Sequence, residues 1–349
     1  MTNWTTLAEL PLRIESYAID RLSQAFAYGR ERVTTRVRLQ GGGEEGHGED
    51  VGVMPDDESN SLHELGRALP LTGEWTLGDF CDHLRAIEQW DSEPQWEMMR
   101  RWRNWAFQSA ALDLALRQAG LPLHEAIGRE PQPVRFVNSL GLGEPPTFDP
   151  IARRLEHHPK LRFKVDAVAA WTPELIDEVA ATGAVEIVDF KGRYGMEVED
   201  RDALLRMYER VIEAFPDALL EDGHEEALEL LEPHADRISY DAPIASCEDL
   251  EKLPLAPVAL NIKPCRVGDL RTLFDLYEET AARGLITYGG GMGEIDCGRG
   301  QIQLLASLFH PDGPNDTAPG GYNHETPAPD LPPSPLDPKP APTGFRRAG

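Results

Sequence analysis

The sequence predicts an α/β chain whose second half closes into a parallel barrel behind a smaller α+β domain. Seven short β-rich runs alternate with amphipathic helical segments from about residue 134 onward. Their starts lie about 20 to 35 residues apart, the length of one βα unit. The first 130 residues hold strands and helices without that repeat. Seven units in a row favour a closed barrel over an open doubly wound sheet, which is the alternative.

Within residues 1–130, Arg13 to Leu22 reads as a loosely patterned strand with Ile14, Tyr17 and Ile19 as its apolar points. Arg32 to Leu39 alternates more cleanly, with Val33, Val37 and Leu39 on one face and Arg36 and Arg38 on the other. The stretch Gly41-Gly42-Gly43-Glu44-Glu45-Gly46-His47-Gly48-Glu49-Asp50 is glycine-rich and acidic, which predicts a mobile turn or lid rather than a packed element. From Leu77 to Gly128 the chain reads as mostly helical, with Gly120 and Pro122 ending the main helix. Trp90, Trp96, Trp102 and Trp105 read as packing residues.

The barrel runs are Val134–Leu142, Leu161–Ala167, Val185–Phe190, Leu219–Asp222, Ile238–Ile244, Val258–Lys263 and Leu285–Tyr288, separated by helices such as Pro173–Ala181, Arg201–Phe215 and Leu270–Arg283. The division expected is a capping domain over residues 1–130, a barrel over 131–323 and a proline-rich tail over 324–349 that runs back over the first domain.

A formal net charge of −26 repels phosphate backbones and anionic lipid, so neither nucleic acid nor a membrane surface is an expected partner. No apolar run approaches the ~20 residues of a membrane span. The sequence also opens without a basic-then-apolar leader. Cys81, Cys247, Cys265 and Cys297 are scattered and lack metal-site spacing, which suits reduced thiols in a cytoplasm. Only six of the 34 basic residues are lysine: Lys160, Lys164, Lys191, Lys252, Lys263 and Lys339. Arginine supplies charge but keeps its proton, whereas a desolvated lysine can release one. Each lysine in a barrel strand therefore asks for a reason.

Barrel enzymes work at the C-terminal ends of their strands. The polar residues near those ends are Arg162 and Lys164, Asp189 and Lys191, Glu221, Asp241, and Asn261 with Lys263. Residues two apart share a strand face, so each of these pairs can face the barrel interior. Three carboxylates on successive strands are the oxygen donors that Mg2+ takes. A dication there can hold a substrate carboxylate and stabilise charge developing on the adjacent carbon. Lys164 and Lys263, on separated strands, can stand on either side of that carbon.

This order and spacing resemble the enolase superfamily, especially the branch with muconate lactonising enzyme and o-succinylbenzoate synthase. Ser109-Ala110-Ala111-Leu112-Asp113-Leu114 and Gly120-Leu121-Pro122-Leu123 look like its passage from capping domain to barrel. Leu161-Arg162-Phe163-Lys164 resembles its K-x-K strand, Leu220-Glu221-Asp222 its metal-binding glutamate strand, and Asn261-Ile262-Lys263-Pro264 its second-lysine strand. The resemblance implies a modified (β/α)7β TIM-like barrel with an N-terminal α+β capping domain. It further implies Asp189, Glu221 and Asp241 as Mg2+ ligands, Lys164 and Lys263 as the acid/base pair, and Arg162, Lys191 and Asn261 as substrate-binding or pKa-tuning groups. A small carboxylate substrate, a homo-oligomer, and closure of the 41–48 segment over the substrate are implied as well. The reaction class is proton abstraction next to a carboxylate, leading to dehydration, cycloisomerisation or epimerisation.

This sequence departs from the pattern at Arg162, Lys191, Ala242 and Gly223, where a lysine, an asparagine, a glutamate and a proline are usual. Two other functions stay open on the residues alone: a barrel without metal chemistry that binds a small anion, and a metal-free Schiff-base lyase. Each residue also has a plainer reading. The lysines and acids can form a structural ion-pair network, Lys191 included. Tyr288 to Glu294 reads as a tight turn, His224 as a loop residue, and Asp296 and Arg299 as solvating the start of the last barrel helix.

Overall fold

The structure, a computed structural model, describes residues 3–25, 31–54, 57–193 and 200–348. It begins with α1 (Asn3–Ala8), β1 (Pro11–Ile14), β2 (Ser16–Ala25), β3 (Glu31–Gly41), β4 (Glu44–Asp50), β5 (Gly73–Thr76), α2 (Leu77–Ala86), α3 (Met98–Gln118) and α4 (Leu123–Ala126). Strands β2, β3 and β4 form an antiparallel sheet, and β1 pairs separately with β5. The single strand expected over Arg13–Leu22 is thus two, because the chain changes sheet at Glu15. Val37 and Leu39 of β3 are buried while Arg36 and Arg38 reach outward to Asp20, as the alternation predicts.

The glycine-rich acidic stretch corrects its expectation. It is the tip and second strand of a hairpin, with Gly42 and Gly43 at positive φ (62° and 81°) in the turn. A Cβ on Gly46 would stand 2.2 Å from the Ala110 carbonyl oxygen, and one on Gly48 1.9 Å from that of Ala106. The glycines let β4 lie against the backbone of α3. Absence of side chains here marks close approach, not mobility, and the segment is no lid. Trp90, Trp102 and Trp105 are buried as expected, but Trp96 is 46% exposed.

The second half runs β6 (Asn138–Leu140), α5 (Asp149–His157), β7 (Phe163–Asp166), α6 (Pro173–Ala181), β8 (Val185–Asp189), α7 (Arg201–Ala214), β9 (Leu219–Glu221), α8 (Leu228–Leu231), β10 (Ile238–Tyr240), β11 (Ala259–Ile262), α9 (Pro264–Val267), α10 (Leu270–Ala282), β12 (Ile286–Gly289) and α11 (Cys297–Phe309). Strands β6 to β12 pair in parallel and in chain order. Bridges from Asn315 to Phe136 and from Asp316 to Gly290 span the gap between the two end strands. That short segment takes the eighth place of a curled, TIM-like barrel. Side chains of Thr172, Asp200 and Asp269 cap α6, α7 and α10, fixing where each helix turns back from the sheet.

Two buried carboxylates tie the halves together. Glu49 of β4 accepts from Thr34 Oγ1 and from the backbone N–H groups of Ile295, Asp296 and Gly298 at the start of α11. It does the capping that Asp296 leaves undone. Asp113 of α3 accepts from His47 N, Phe345 N and Arg346 Nε, and the buried Phe345 ring meets Trp105 edge-on. Among the described residues no helix is long and apolar enough to cross a membrane, and all four cysteines are free.

Candidate active site

The parallel order of β8, β9 and β10 brings three carboxylates to one place. Asp189 ends β8, Glu221 ends β9, and Asp241 follows β10. Each is completely buried, and each offers an oxygen within 4.8 Å of the others. Hard oxygen donors that converge in this way fit a divalent cation such as Mg2+ in kind.

The chain's own cations already crowd the same point. Lys164 Nζ is hydrogen-bonded to Glu221 Oε1, lies 3.0 Å from Asp189 and 3.9 Å from Asp241. Lys263 Nζ is 2.9 Å from Asp241, whose other oxygen accepts from Arg266. Lys191 Nζ pairs with Asp189 and, at 3.1 Å, with Asp166. The remaining oxygen of Glu221 accepts from Tyr288 OH, which also meets Ser239 Oγ at 2.6 Å, and from Asn261 Nδ2 at 3.5 Å. A dication about 3 Å from an ammonium is repelled by roughly 10 kcal/mol at an effective dielectric near 20. Lys164 and a metal therefore cannot share this centre as it stands.

The electrostatics follow from burial and charge. Burial alone would push the Lys164 ammonium down, but Asp189, Glu221 and Asp241 outweigh it and hold the group well above its ordinary range. Burial pushes Asp189 and Asp241 up and loses in both cases: to Lys164 and Lys191 at the first, to Arg266, Lys263 and Lys164 at the second. Both end well below the usual carboxylate range. Glu221 goes the other way, raised by burial and then, against the pull of Lys164, by the charges of Asp189 and Asp241.

The structure brings Lys164, Asp189, Lys191, Glu221, Asp241, Asn261 and Lys263 together. It leaves out Arg162, which lies ahead of β7, is half-exposed, and faces Glu186 at 3.7 Å at the opposite end of the barrel. Sharing a strand face is not sharing an end. Along that face the side chains run Arg162, Lys164, Asp166, and the last two are the pair nearest the mouth.

Sequence reading missed four members. Asp166 faces Lys191, and Arg266 neutralises Asp241. Tyr288 fixes Glu221. Asp222 adopts a left-handed backbone (φ 53°) and accepts from the N–H groups of Asp241 and Ala242. Burial and the nearby Asp241 and Asp189 push it up to about 6. Asp166 was readable from alternation with Lys164; the others needed the barrel closed. The largest cavity described, about 750 Å3, lies elsewhere, against Arg135, Arg162, Glu186, Ile286 and His310 at the N-terminal ends of the strands.

Profiles of a family described as Domain of unknown function (DUF8230) match this chain twice: the N-terminal domain over residues 5–126 and the C-terminal domain over residues 130–324. The chain belongs to this family. This DUF8230 protein is also 27% identical over 236 residues to o-succinylbenzoate synthase from Geobacillus kaustophilus, a match covering 63% of this chain and 60% of that one. The match thus spans about three fifths of the curated relative's length. Among solved structures, dipeptide epimerase from Methylococcus capsulatus, complexed with Mg, aligns with a TM-score of 0.65 at 19% identity, covering 90% of this chain and 92% of that one. Muconate lactonizing enzyme from Pseudomonas putida aligns with a TM-score of 0.57 at 19% identity, covering 84% and 83%. The DUF8230 chain therefore has the fold of the enolase superfamily: an N-terminal sheet-and-helix cap on a TIM-like barrel.

Proposed function

We propose that this protein is an enzyme, a lyase or isomerase, that moves a proton at the carbon next to a carboxylate of a small substrate. The observation that carries the reading is the convergence of Asp189, Glu221 and Asp241 from successive strands, with Lys164 and Lys263 reaching them from β7 and the end of β11. In this reading the three carboxylates hold Mg2+. When bound, the ion would supply Lewis-acid stabilisation of negative charge developing on the substrate carboxylate.

The chain's own groups do the rest. Lys263 Nζ, held by Asp241 beside Arg266, receives or returns a proton on one side of the reacting carbon, and Lys164 Nζ does so on the other. Tyr288 and Ser239 hold Glu221 in one orientation, and Asn261 donates to the same carboxylate. Lys191, with its side chain 30% exposed, stands at the mouth as an anchor for the substrate carboxylate. Arg32 of β3 donates to the carbonyls of Val51, Met292 and Gly293, closing the cap against the loop beside Lys263 and excluding water. Free thiols fit a cytoplasmic protein, and the reading includes a homo-oligomer.

A second reading has its own support. Lys164, Lys263 and Arg266 pair with the three carboxylates as the structure stands, and Lys191 is part-exposed at the mouth, which suits a barrel that binds a small anion and does no metal chemistry. A Schiff-base lyase has less support, because an ammonium pinned among three carboxylates is a poor amine nucleophile.

Solvent deuterium exchange separates these readings. Substrates of the named relatives are incubated in D2O with the enzyme and followed by mass spectrometry. The proposal expects label at the carbon next to the carboxylate, lost in EDTA and in Lys263→Ala. Exchange that persists in EDTA removes the metal from the mechanism. Ligand-dependent stabilisation with no exchange on any of these substrates favours the anion-binding barrel.

A further inference from the structure

We infer that Lys164 is a resident counter-ion of the carboxylate trio, so that the centre has two exclusive states, ammonium in and metal in. The inference rests on the proposed Mg2+ site and asks what this chain's own lysine does there.

The geometry is specific. One atom, Lys164 Nζ, reaches an oxygen of each of the three acids. An atom hydrogen-bonded to Glu221, 3.0 Å from Asp189 and 3.9 Å from Asp241 sits among the oxygens a shared cation would take. Its side chain is 1% exposed, shut away from bulk solvent. The other three cations border the trio from its sides. Lys263 and Arg266 meet Asp241, and Lys191 meets Asp189 and Asp166. Lys164, which pairs with all three acids, is the cation a dication must displace.

A lysine suits an exchangeable counter-ion better than an arginine does. The ammonium is a compact point charge on a four-carbon stem, free of the planar fork that would lock it to two oxygens. To vacate the trio, that stem must swing away from the three acids. Metal entry is then also the event that releases Lys164 from the acids and presents it to the substrate. The lysine proposed as an acid/base group is withheld until the metal is seated. Apparent Mg2+ affinity is correspondingly lower than the trio alone would give, because every binding event must first displace an ammonium.

The test is Mg2+ titration by calorimetry of metal-stripped wild-type protein and of Lys164→Met, which keeps the stem and removes the charge. Ionic strength is held constant with NaCl. The expected result is at least tenfold tighter Mg2+ binding by Lys164→Met. Equal or weaker binding in a folded Lys164→Met overturns the inference and leaves the metal site standing. No Mg2+ binding by either protein ends the inference and the metal reading together.

If Lys164→Met does not fold, labelling of the wild type answers instead. With only six lysines in the chain, acetylation is resolved residue by residue by mass spectrometry. Lys164 is expected to react at least fivefold faster once Mg2+ has raised the melting temperature. An unchanged rate under that condition overturns the inference.

Discussion

The two ends of the barrel are built from the same kinds of residue and do opposite things with them. At the C-terminal end, Lys164, Asp189, Glu221, Asp241, Lys263 and Arg266 are buried and paired with one another, and Lys191 with Asp166 lies part-exposed at the rim. At the N-terminal end, Arg135 and Arg162 flank Glu186 with their side chains about half-exposed, around an open cavity whose walls include the exposed Ile286. The contrast teaches that cavity size and chemical organisation are separate properties. A cavity of about 750 Å3 lies at the end with fewer organised groups.

Breaking one charge at each end should expose the difference. The largest effect is expected for Asp241→Asn, which strips Lys263 and Arg266 of their shared partner in a dry site. Removing one member of a buried pair typically costs ~3–5 kcal/mol, measured by urea denaturation. A loss under 1 kcal/mol would mean that the network is wet and that the two ends are alike.

An intermediate and pH-dependent effect belongs to His310, at the N-terminal end but fully buried. Burial, opposed by its bond to Asn315, lowers this imidazole to about 4. The unfolded chain therefore binds more protons at this site. The stability the neutral ring supplies is complete above pH 6.5 and disappears as pH falls through about 4, a span of about 3 kcal/mol. His310→Gln should flatten the stability curve over that window by a similar amount. If wild type and variant keep a constant difference from pH 7 to 4, the ring is not held neutral by the fold.

The smallest effect is expected for Glu186→Gln, which removes ion pairs whose arginines are about half-exposed and should cost less than ~1 kcal/mol. Salt sharpens the comparison. Screening should shrink the Glu186→Gln penalty between low salt and ~1 M, and leave that of Asp241→Asn largely intact. Equal salt responses would put both ends in the same dielectric.

Much of the barrel was legible before the fold was known. Six of the seven β-rich runs contain one of β6 to β11, and the seventh falls one residue short of the end of β12, because a strand buried on both faces must be apolar along its length. Asp189, Glu221, Asp241 and Lys263 were legible because their place in the run fixes which end of the strand they occupy. Arg162 was misplaced for the complementary reason: alternation reports a face, and only the start of pairing at Phe163 reports the end. Arg266 and Tyr288 were illegible, since each acts on a carboxylate from a different βα unit, across a barrel that no local pattern draws. The cap was harder. Glycines read as looseness in a chain of symbols, while in β4 they are the one residue type that fits against the carbonyls of α3.

The clasp at Asp113 has a consequence for how the protein is made. Its partner Phe345 is separated from it by 232 positions, so a ribosome moving at 5–20 residues per second needs roughly 10–50 s to deliver the second half of the clasp. Throughout that interval the nascent cap holds a carboxylate that has His47 as a donor but still lacks Phe345 and Arg346. Its final locking is postponed until the barrel has been threaded through translation, which orders assembly in time as firmly as the sheet orders it in space.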